Sequence, residues 1–320
     1  MTSKSHPVSF VEAFNRWAAQ VASVIQGKDS VIREALICFL CGGHILIEDV
    51  PGTGKTTLAR AIAASAQVDW GRIQFTPDLL PSDVTGISVW NQKTSEFEFR
   101  PGPIFTNVVL ADEINRASAK TQSALLEVME EGTVSTDATT YVVPKPFIVI
   151  ATENPIDLDG TYRLPEAQLD RFMMKISIGY PEPRVEANIM RAERDGATVN
   201  SAKAVLTLDE LKSMIEFIKT VQVAPLIDDY VVALTNFTRN APGVRLGVSP
   251  RGSLALIRAC RAAAAVAGRN FVTPEDVKTL APTVFGHRII LRPEAEMSGT
   301  TGNDIVRQAL EAVPVPRRAE

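Results

Sequence analysis

A glycine-rich stretch between an apolar run and an alanine-rich run constrains the fold of this chain more than any other feature. The stretch covers residues 48–57, Glu-Asp-Val-Pro-Gly-Thr-Gly-Lys-Thr-Thr, and it follows the apolar run at residues 44–47. The order of strand, glycine loop and helix is the context in which a phosphate-binding loop works. Glycines accept the positive φ angles that turn backbone N–H groups towards an anion, and a helix N-terminus stabilises negative charge. The sequence therefore predicts a phosphate site.

Single residues of this loop have separate predicted roles. Lys55 would place a positive charge on the β- and γ-phosphates, and the Thr56 hydroxyl would ligate Mg²⁺. Asp49 departs from the pattern G-x-x-x-x-G-K-[ST], because it stands where the first glycine is expected. A strand-to-helix turn that binds nothing remains the alternative for this stretch alone. The predicted phosphate-contacting residues are Pro51, Gly52, Thr53, Gly54, Lys55, Thr56 and Thr57.

A second apolar run, which begins at Asn107, ends in the acidic residues Asp112 and Glu113. Because burying unpaired carboxylates is costly, two of them at the end of a buried strand need a partner. Mg²⁺ held by Asp112, directly or through water, would supply that partner, and Glu113 would orient and deprotonate the attacking water. Alone, such a pair is more often the solvated start of a loop. We expect this strand to lie beside the strand that feeds the glycine loop.

Four more residues are candidates for the site. Asn154 follows another apolar strand, and its amide could contact both a γ-phosphate and the attacking water, although an Asx-turn before a proline is equally consistent. Arg163 and Arg171 flank a segment that precedes an apolar strand, a position that suits an arginine reaching a neighbouring subunit rather than a surface ion pair. Arg251 lies in the first turn of a helix, where the helix dipole disfavours a cation, so a phosphate is its expected partner.

Continuous apolar strands alternate with helices as far as residue 178, which predicts an α/β fold with a parallel sheet covered on both faces. Two stretches inside this region, at about residues 84–99 and 133–144, resemble hairpins. Beyond residue 182 the pattern is helical. We therefore predict an αβα domain at residues 1–182 and a smaller all-helical domain at residues 183–320.

The overall composition excludes some classes of function. With a net charge of −4 and a pI near 5.6, the 320-residue chain has no global basic footprint, so no nucleic-acid partner is expected. No apolar run is long enough to span a bilayer, and residues 1–7 lack the apolar core of a secretory signal. We expect a cytoplasmic protein that does not span a membrane.

Taken together, these motifs resemble the MoxR family of AAA+ ATPases over nearly the whole chain. The resemblance lies in the order and spacing of several segments, and an acidic residue at the first glycine position is common in that family. The matching segments are residues 48–56 as Walker A, 108–113 as Walker B, Asn115-Arg116-Ala117, residues 151–155, residues 164–172 and Ser249-Pro250-Arg251.

The resemblance implies a site for ATP and Mg²⁺ in an AAA+ nucleotide-binding domain that is followed by a lid domain. Asn154 would be sensor 1, Arg171 the arginine finger and Arg251 sensor 2. The segment at residues 24–28 would line the adenine pocket, and Arg116 and Lys120 would reach across a subunit interface. The two hairpin inserts face the central channel in ring-shaped relatives and move with nucleotide state.

The function implied by the resemblance is ATP hydrolysis by a hexameric, chaperone-like motor. Such a motor would remodel or mature protein clients together with a separately encoded partner that carries a von Willebrand factor A domain. Two alternatives stay open: the motor subunit of a magnesium-chelatase-like metal-insertion complex, and a nucleotide-dependent scaffold with little hydrolysis. A helicase-like motor on DNA is disfavoured by the acidic pI and by the lack of an OB-like domain.

Overall fold

The computed structural model describes residues 7–136, 139–155, 164–194 and 202–316. Within these ranges the chain forms two compact units, and neither unit is one continuous segment. The sheet unit consists of Trp17–Leu164 and Ile176–Leu208, and the helical unit consists of Met1–Arg16, Pro165–Lys175 and Asp209–Glu320. The domain boundary after residue 182 stays a prediction.

A five-stranded sheet consists of β1 (Ile45–Glu48), β2 (Trp70–Gln74), β5 (Val108–Asp112), β8 (Ile148–Glu153) and β9 (Met174–Ile176). The order of these strands across the sheet is β2-β5-β8-β1-β9. The pairs β1–β8, β5–β8 and β2–β5 are parallel. The three inner strands are buried apolar runs, as expected for a parallel sheet that is covered on both faces. The predicted α/β class is confirmed.

One expectation about this sheet is wrong. We expected the strand that ends at Asp112 to lie beside the strand that feeds the glycine loop, but β8 lies between them. Strands β1, β5 and β8 are similar apolar runs, so their composition does not specify which two of them pair. The strand order places Asn154, directly after β8, between the glycine loop and the acidic pair.

Helices and two hairpins complete the sheet unit. Ser118 caps the helix that precedes the second hairpin, and Gly132 ends that helix at φ 67°. Both predicted hairpins are present, and their strands pair antiparallel. The helices are α2 (Asp29–Leu40), α3 (Lys55–Ser65), α4 (Pro81–Thr85), α5 (Ala119–Glu131) and α7 (Pro183–Arg194). The hairpin strands are β3 (Gly86–Asn91), β4 (Glu96–Pro101), β6 (Thr133–Thr136) and β7 (Thr139–Val142).

The helical unit packs α9, α10, α11 and α13 against one another. A short antiparallel pair, β10 (Val244–Leu246) with β11 (Ile290–Leu291), adds to this bundle. The helices are α6 (Glu166–Leu169), α8 (Leu208–Ile218), α9 (Pro225–Asn240), α10 (Pro250–Val266), α11 (Pro274–Phe285), α12 (Pro293–Met297) and α13 (Gly302–Ala312), and α1 (Pro7–Ala22) begins in this unit. Among the described residues, no helix combines the length and the apolar character needed to cross a membrane.

A buried histidine lies in the core of the helical unit. His287 belongs to a 3-10 turn, Gly286–Arg288, and its Nε2 lies 3.0 Å from the carbonyl oxygen of Phe172 and 2.9 Å from Nη1 of Arg288. Burial, and then the charge of Arg288, hold the pKa of His287 well below its ordinary value of 6.5. The imidazole is therefore neutral in the folded protein at neutral pH.

This neutral histidine predicts a pH dependence of stability. Below pH 6.5 the unfolded chain gains a proton at His287 that the folded chain does not bind, so the free energy of unfolding falls as the pH falls. The slope from this residue approaches about 1.4 kcal/mol per pH unit. Urea unfolding between neutral pH and pH 5 should show this extra slope in the wild type and not in His287→Gln. Parallel stability curves for the two proteins would contradict the assignment.

Candidate active site

The glycine loop adopts the backbone geometry that its sequence predicts. Gly52 and Gly54 have φ angles of 86° and 92°, in the left-handed region that favours glycine. Helix α3 begins directly after the second glycine, at Lys55. The Lys55 ammonium donates to the carbonyl oxygen of Asp49 at 2.7 Å, so the side chain folds back over the loop. The loop thus presents a lysine and a helix N-terminus in one place, as a phosphate site requires.

Asp49, the residue that replaces the first glycine, has a structural role. Its side chain is buried, with 7% exposure of the residue, and its carboxylate accepts three hydrogen-bond donors. These are the hydroxyl of Ser177 at 2.8 Å and the backbone N–H groups of Ile178 at 2.5 Å and Gly179 at 3.2 Å. The carboxylate therefore ties the start of the loop to the segment that follows β9. The sequence could not reveal this contact, since the partners lie about 130 residues further along the chain.

The two acidic residues at the end of β5 are connected through Thr152. The Thr152 hydroxyl donates to Oδ1 of Asp112 at 2.7 Å and accepts the backbone N–H of Glu113 at 2.8 Å. Thr152 lies in β8 and is fully buried, so one hydroxyl fixes both residues of the acidic pair from the neighbouring strand. Sequence reasoning missed Thr152, although a polar side chain inside an apolar run was the available signal.

Glu113 has an unusual backbone and two side-chain donors. Its φ angle is 56°, a left-handed conformation that costs energy for a residue other than glycine and that occurs preferentially at functional sites. Oε2 accepts from Nε2 of Gln74 at 2.9 Å and from Nη1 of Arg116 at 3.0 Å. Arg116 thus contacts the acidic pair of its own chain, and its reach across an interface stays a prediction. The sequence did not indicate Gln74.

Asp112 has the properties of a ligand for a hard cation. Oδ1 accepts from Thr152 and Oδ2 accepts from Nη2 of Arg72 at 2.7 Å. Each carboxylate oxygen can accept more than one bond, so these contacts leave acceptor capacity on both atoms. Mg²⁺ prefers oxygen ligands, and a carboxylate with a threonine hydroxyl matches that preference. Asp112 and Thr56, in the first turn of α3, therefore fit Mg²⁺ by donor chemistry.

The remaining candidates divide between the two units. Asn154 belongs to the sheet unit, is buried directly after β8, and its carbonyl oxygen lies 3.5 Å from Nδ2 of Asn115. Arg171 and Arg251 both belong to the helical unit: the first follows α6, and the second is in the first turn of α10. Arg163 lies outside the described residues. The sheet unit therefore brings together the glycine loop, the acidic pair and Asn154, and the helical unit carries both arginines.

Two protein-family models match this chain. The model of the ATPase family associated with various cellular activities (AAA) matches residues 44–174, and the AAA lid domain model matches residues 236–309. The chaperone MoxR1 of Mycobacterium tuberculosis is 40% identical over 316 residues, which cover 96% of this chain and 83% of MoxR1. The chain belongs to the MoxR family of AAA+ ATPases. ATP hydrolysis is the general kind of reaction that this family membership supports.

Two further relatives extend over the same length. Protein YeaC of Bacillus subtilis is 47% identical over 313 residues, which cover 97% of this chain and 96% of YeaC. A crystal structure of a protein from Cytophaga hutchinsonii superposes with a TM-score of 0.91 at 37% identity and covers 97% of each chain. The predicted class, an AAA+ parallel-sheet domain with a helical lid, is confirmed for this MoxR-family chain.

The role of Asp49 predicts a stability effect. In Asp49→Asn the amide nitrogen would face donors that the carboxylate now accepts, so at least one charge-assisted bond is lost. We expect the free energy of unfolding to fall by about 2 kcal/mol, as measured by urea unfolding. Asp69→Asn is the matched control, because the Asp69 side chain is exposed. Equal stabilities of the two variants would contradict the role of the Asp49 carboxylate in connecting the loop to the segment after β9.

Proposed function

We propose that this chain hydrolyses ATP at the carboxyl edge of its sheet and uses the reaction to drive a chaperone-like motor. The observation that carries the proposal is the hydrogen-bonded series from Asp112 through Thr152 to Glu113, on the same sheet edge as the glycine loop. Membership of a family with relatives named as chaperones supports the same reading.

The glycine loop would bind the phosphates. Backbone N–H groups from Gly52 to Thr57 and the N-terminus of α3 would provide the anion site beside Pro51, and Lys55 would exchange its bond to the Asp49 carbonyl for the β- and γ-phosphates. Thr56 and Asp112 would hold Mg²⁺, which when bound neutralises charge that develops on the phosphates. Residues 24–28 are the proposed lining of the adenine pocket.

Glu113 would activate the attacking water. Both side-chain bonds to this carboxylate, from Gln74 and from Arg116, go to Oε2. Among the bonds of the described residues, Oε1 is thus the oxygen left to accept a proton from water. The backbone bond to Thr152 fixes the strained turn and therefore the direction of the carboxylate. Asn154, directly after the strand that lies between those of the loop and of Glu113, would orient the γ-phosphate and the water.

Arg171 and Arg251 would stabilise the charge of the transition state. We assign Arg171 as a finger that acts on the ATP of a neighbouring subunit, which makes a closed ring, a hexamer, the working assembly. Arg251 is assigned to a phosphate, because a cation in the first turn of α10 is otherwise disfavoured by the helix dipole. An interface site of this kind couples hydrolysis to movement between subunits.

Two hairpins of the sheet unit support a role on protein clients. The β3–β4 hairpin and the β6–β7 hairpin contact each other, since the Phe99 ring stacks on Tyr141 with centroids 4.0 Å apart. Trp90 and Phe97 remain 49% and 70% exposed on the first hairpin. Exposed aromatic side chains are suited to binding an unfolded segment of a client protein. We include a protein client and a partner with a von Willebrand factor A domain in the proposal, both by family analogy.

The hydrogen bonds to Glu113 favour a second candidate function, a nucleotide-dependent scaffold with little hydrolysis. Gln74 and Arg116 both bind the Glu113 carboxylate, and a carboxylate kept in these bonds would be a poorer base. In a scaffold, ATP would order the chain without being turned over. The intact set of site residues favours turnover. A metal-insertion motor would use the same ATP chemistry and would differ in its client.

Substitution of the proposed base separates turnover from binding. Glu113→Gln keeps the size of the side chain and one acceptor oxygen but removes the base, so kcat for ATP should fall by about 10²–10⁴-fold. ATP affinity, measured by titration calorimetry, should change little. Glu127→Gln, an exposed change on the neighbouring helix α5, is the control and should match the wild type. Unchanged turnover in Glu113→Gln would favour the scaffold.

A further inference from the structure

Arg288 forms an unusually complete set of bonds inside the helical unit. Its side chain is 2% exposed, and Nε donates to Oδ1 of Asp170 at 2.8 Å. Nη2 donates to the carbonyl oxygens of Asp170 at 3.1 Å and Phe172 at 2.6 Å. Nη1 donates to the carbonyl oxygen of Met173 at 3.1 Å and to that of Val284. One buried guanidinium therefore holds the backbone on both sides of Arg171.

Ser249 connects the same carboxylate to helix α10. Its hydroxyl donates to Oδ2 of Asp170 at 2.8 Å and accepts the backbone N–H of Gly252 at 3.3 Å as the N-cap of the helix. The first turn that this cap closes contains Arg251. Asp170 thus binds Arg288 through one oxygen and the N-terminus of α10 through the other.

Gly252 makes room for this arrangement. A Cβ at this position would lie 2.9 Å from Cδ of Arg288 and 2.6 Å from Cγ1 of Val248, closer than carbon atoms pack. Glycine inside a helix is unfavourable by about 1 kcal/mol relative to alanine, so its presence here needs a reason. The stem of Arg288 against the first turn of α10 provides that reason.

The ion pair of the cluster joins the buried guanidinium of Arg288 to the partly exposed carboxylate of Asp170. His287 beside Arg288 has a lowered pKa because it is buried and faces the guanidinium, so it adds no second positive charge at neutral pH. A buried charge without its partner is strongly destabilising, which keeps Asp170 and Arg288 together. The exposed pair of Glu166 with Arg245, in the same unit, has no such constraint.

We propose that Asp170, Ser249 and Arg288 are positioning residues that hold Arg171 and Arg251 as one preset pair for the reaction at ATP. The inference rests on the proposed function, in which both arginines act on phosphate. Each arginine would otherwise sample many rotamers and backbone orientations, and that freedom lowers the fraction of time spent in productive geometry. The cluster fixes the backbone on both sides of Arg171 and the helix turn that contains Arg251.

The test compares two acid-to-amide substitutions in one segment. Asp170→Asn keeps an oxygen for Arg288 but removes the charge that orders the cluster, and kcat for ATP should fall about 10- to 100-fold. The KM for ATP and the ATP dissociation constant should stay within about twofold, because the proposed phosphate loop is untouched. Glu166→Gln removes the exposed partner of Arg245 and should leave kcat unchanged. Ser249→Ala, which leaves the Arg288 bond intact, should lower kcat in the same direction.

A double-mutant cycle separates positioning from general damage. If Asp170 acts through the two arginines, adding Asp170→Asn to a variant that already carries Arg171→Ala and Arg251→Ala should lower kcat no further. Two results would overturn the positioning role. One is a further loss of kcat when Asp170→Asn is added to that background. The other is a kcat of Asp170→Asn and of Ser249→Ala that equals the kcat of Glu166→Gln. Loss of activity in the single variants that tracks their loss of folded protein would overturn it as well.

The same cycle distinguishes the failure of the positioning role from the failure of the proposed function. If Arg171→Ala alone keeps full turnover, the finger assignment is wrong, and the positioning role that depends on it falls too. If Arg171→Ala loses turnover while Asp170→Asn and Ser249→Ala do not, the finger stands and only the positioning role is wrong.

Discussion

The parallel register of the sheet is the constraint on which the candidate site depends. Because β1, β8 and β5 run in the same direction, the glycine loop, Asn154 and the acidic pair all emerge from one edge. The register also brings Thr152 of β8 against the end of β5, where one hydroxyl binds both members of the acidic pair. The pairing of the strands thus determines where the site residues lie, and short polar contacts determine where their side chains point.

Two aspartates connect proposed site elements to distant segments of the chain, and each does so through several hydrogen bonds to its carboxylate. Asp49 binds the segment after β9 through its carboxylate, and Asp170 binds Arg288 and the cap of α10. Both carboxylates accept several donors at once, which makes removal of either one costly. Each compact unit therefore has its own carboxylate that fixes a proposed ATP-binding element: the phosphate loop in the sheet unit and the arginine pair in the helical unit.

Local patterns in the sequence predicted the elements of the fold and the residue types of the site. The glycine loop, the end of β5 and both hairpins could be read from short segments, because their signals are spacing, turn residues and apolar runs. Contacts between segments far apart in the chain could not be read: the place of β8 between β1 and β5, the donors of Asp49, and Arg72 and Gln74 beside the acidic pair. In the sequence Asp49 departs from the phosphate-loop motif, whereas in the structure its carboxylate accepts hydrogen bonds from three residues.

The central claim is that an ATP site on one subunit is completed by Arg171 of a neighbour. The most direct measurement is ATP turnover by mixed assemblies of Glu113→Gln and Arg171→Ala subunits, each nearly inactive alone. A subunit with an intact Glu113 beside one with an intact Arg171 forms a competent interface, which at equal ratio is about one interface in four. We expect activity to rise to a maximum near equal ratio. No activity at any ratio would contradict the claim.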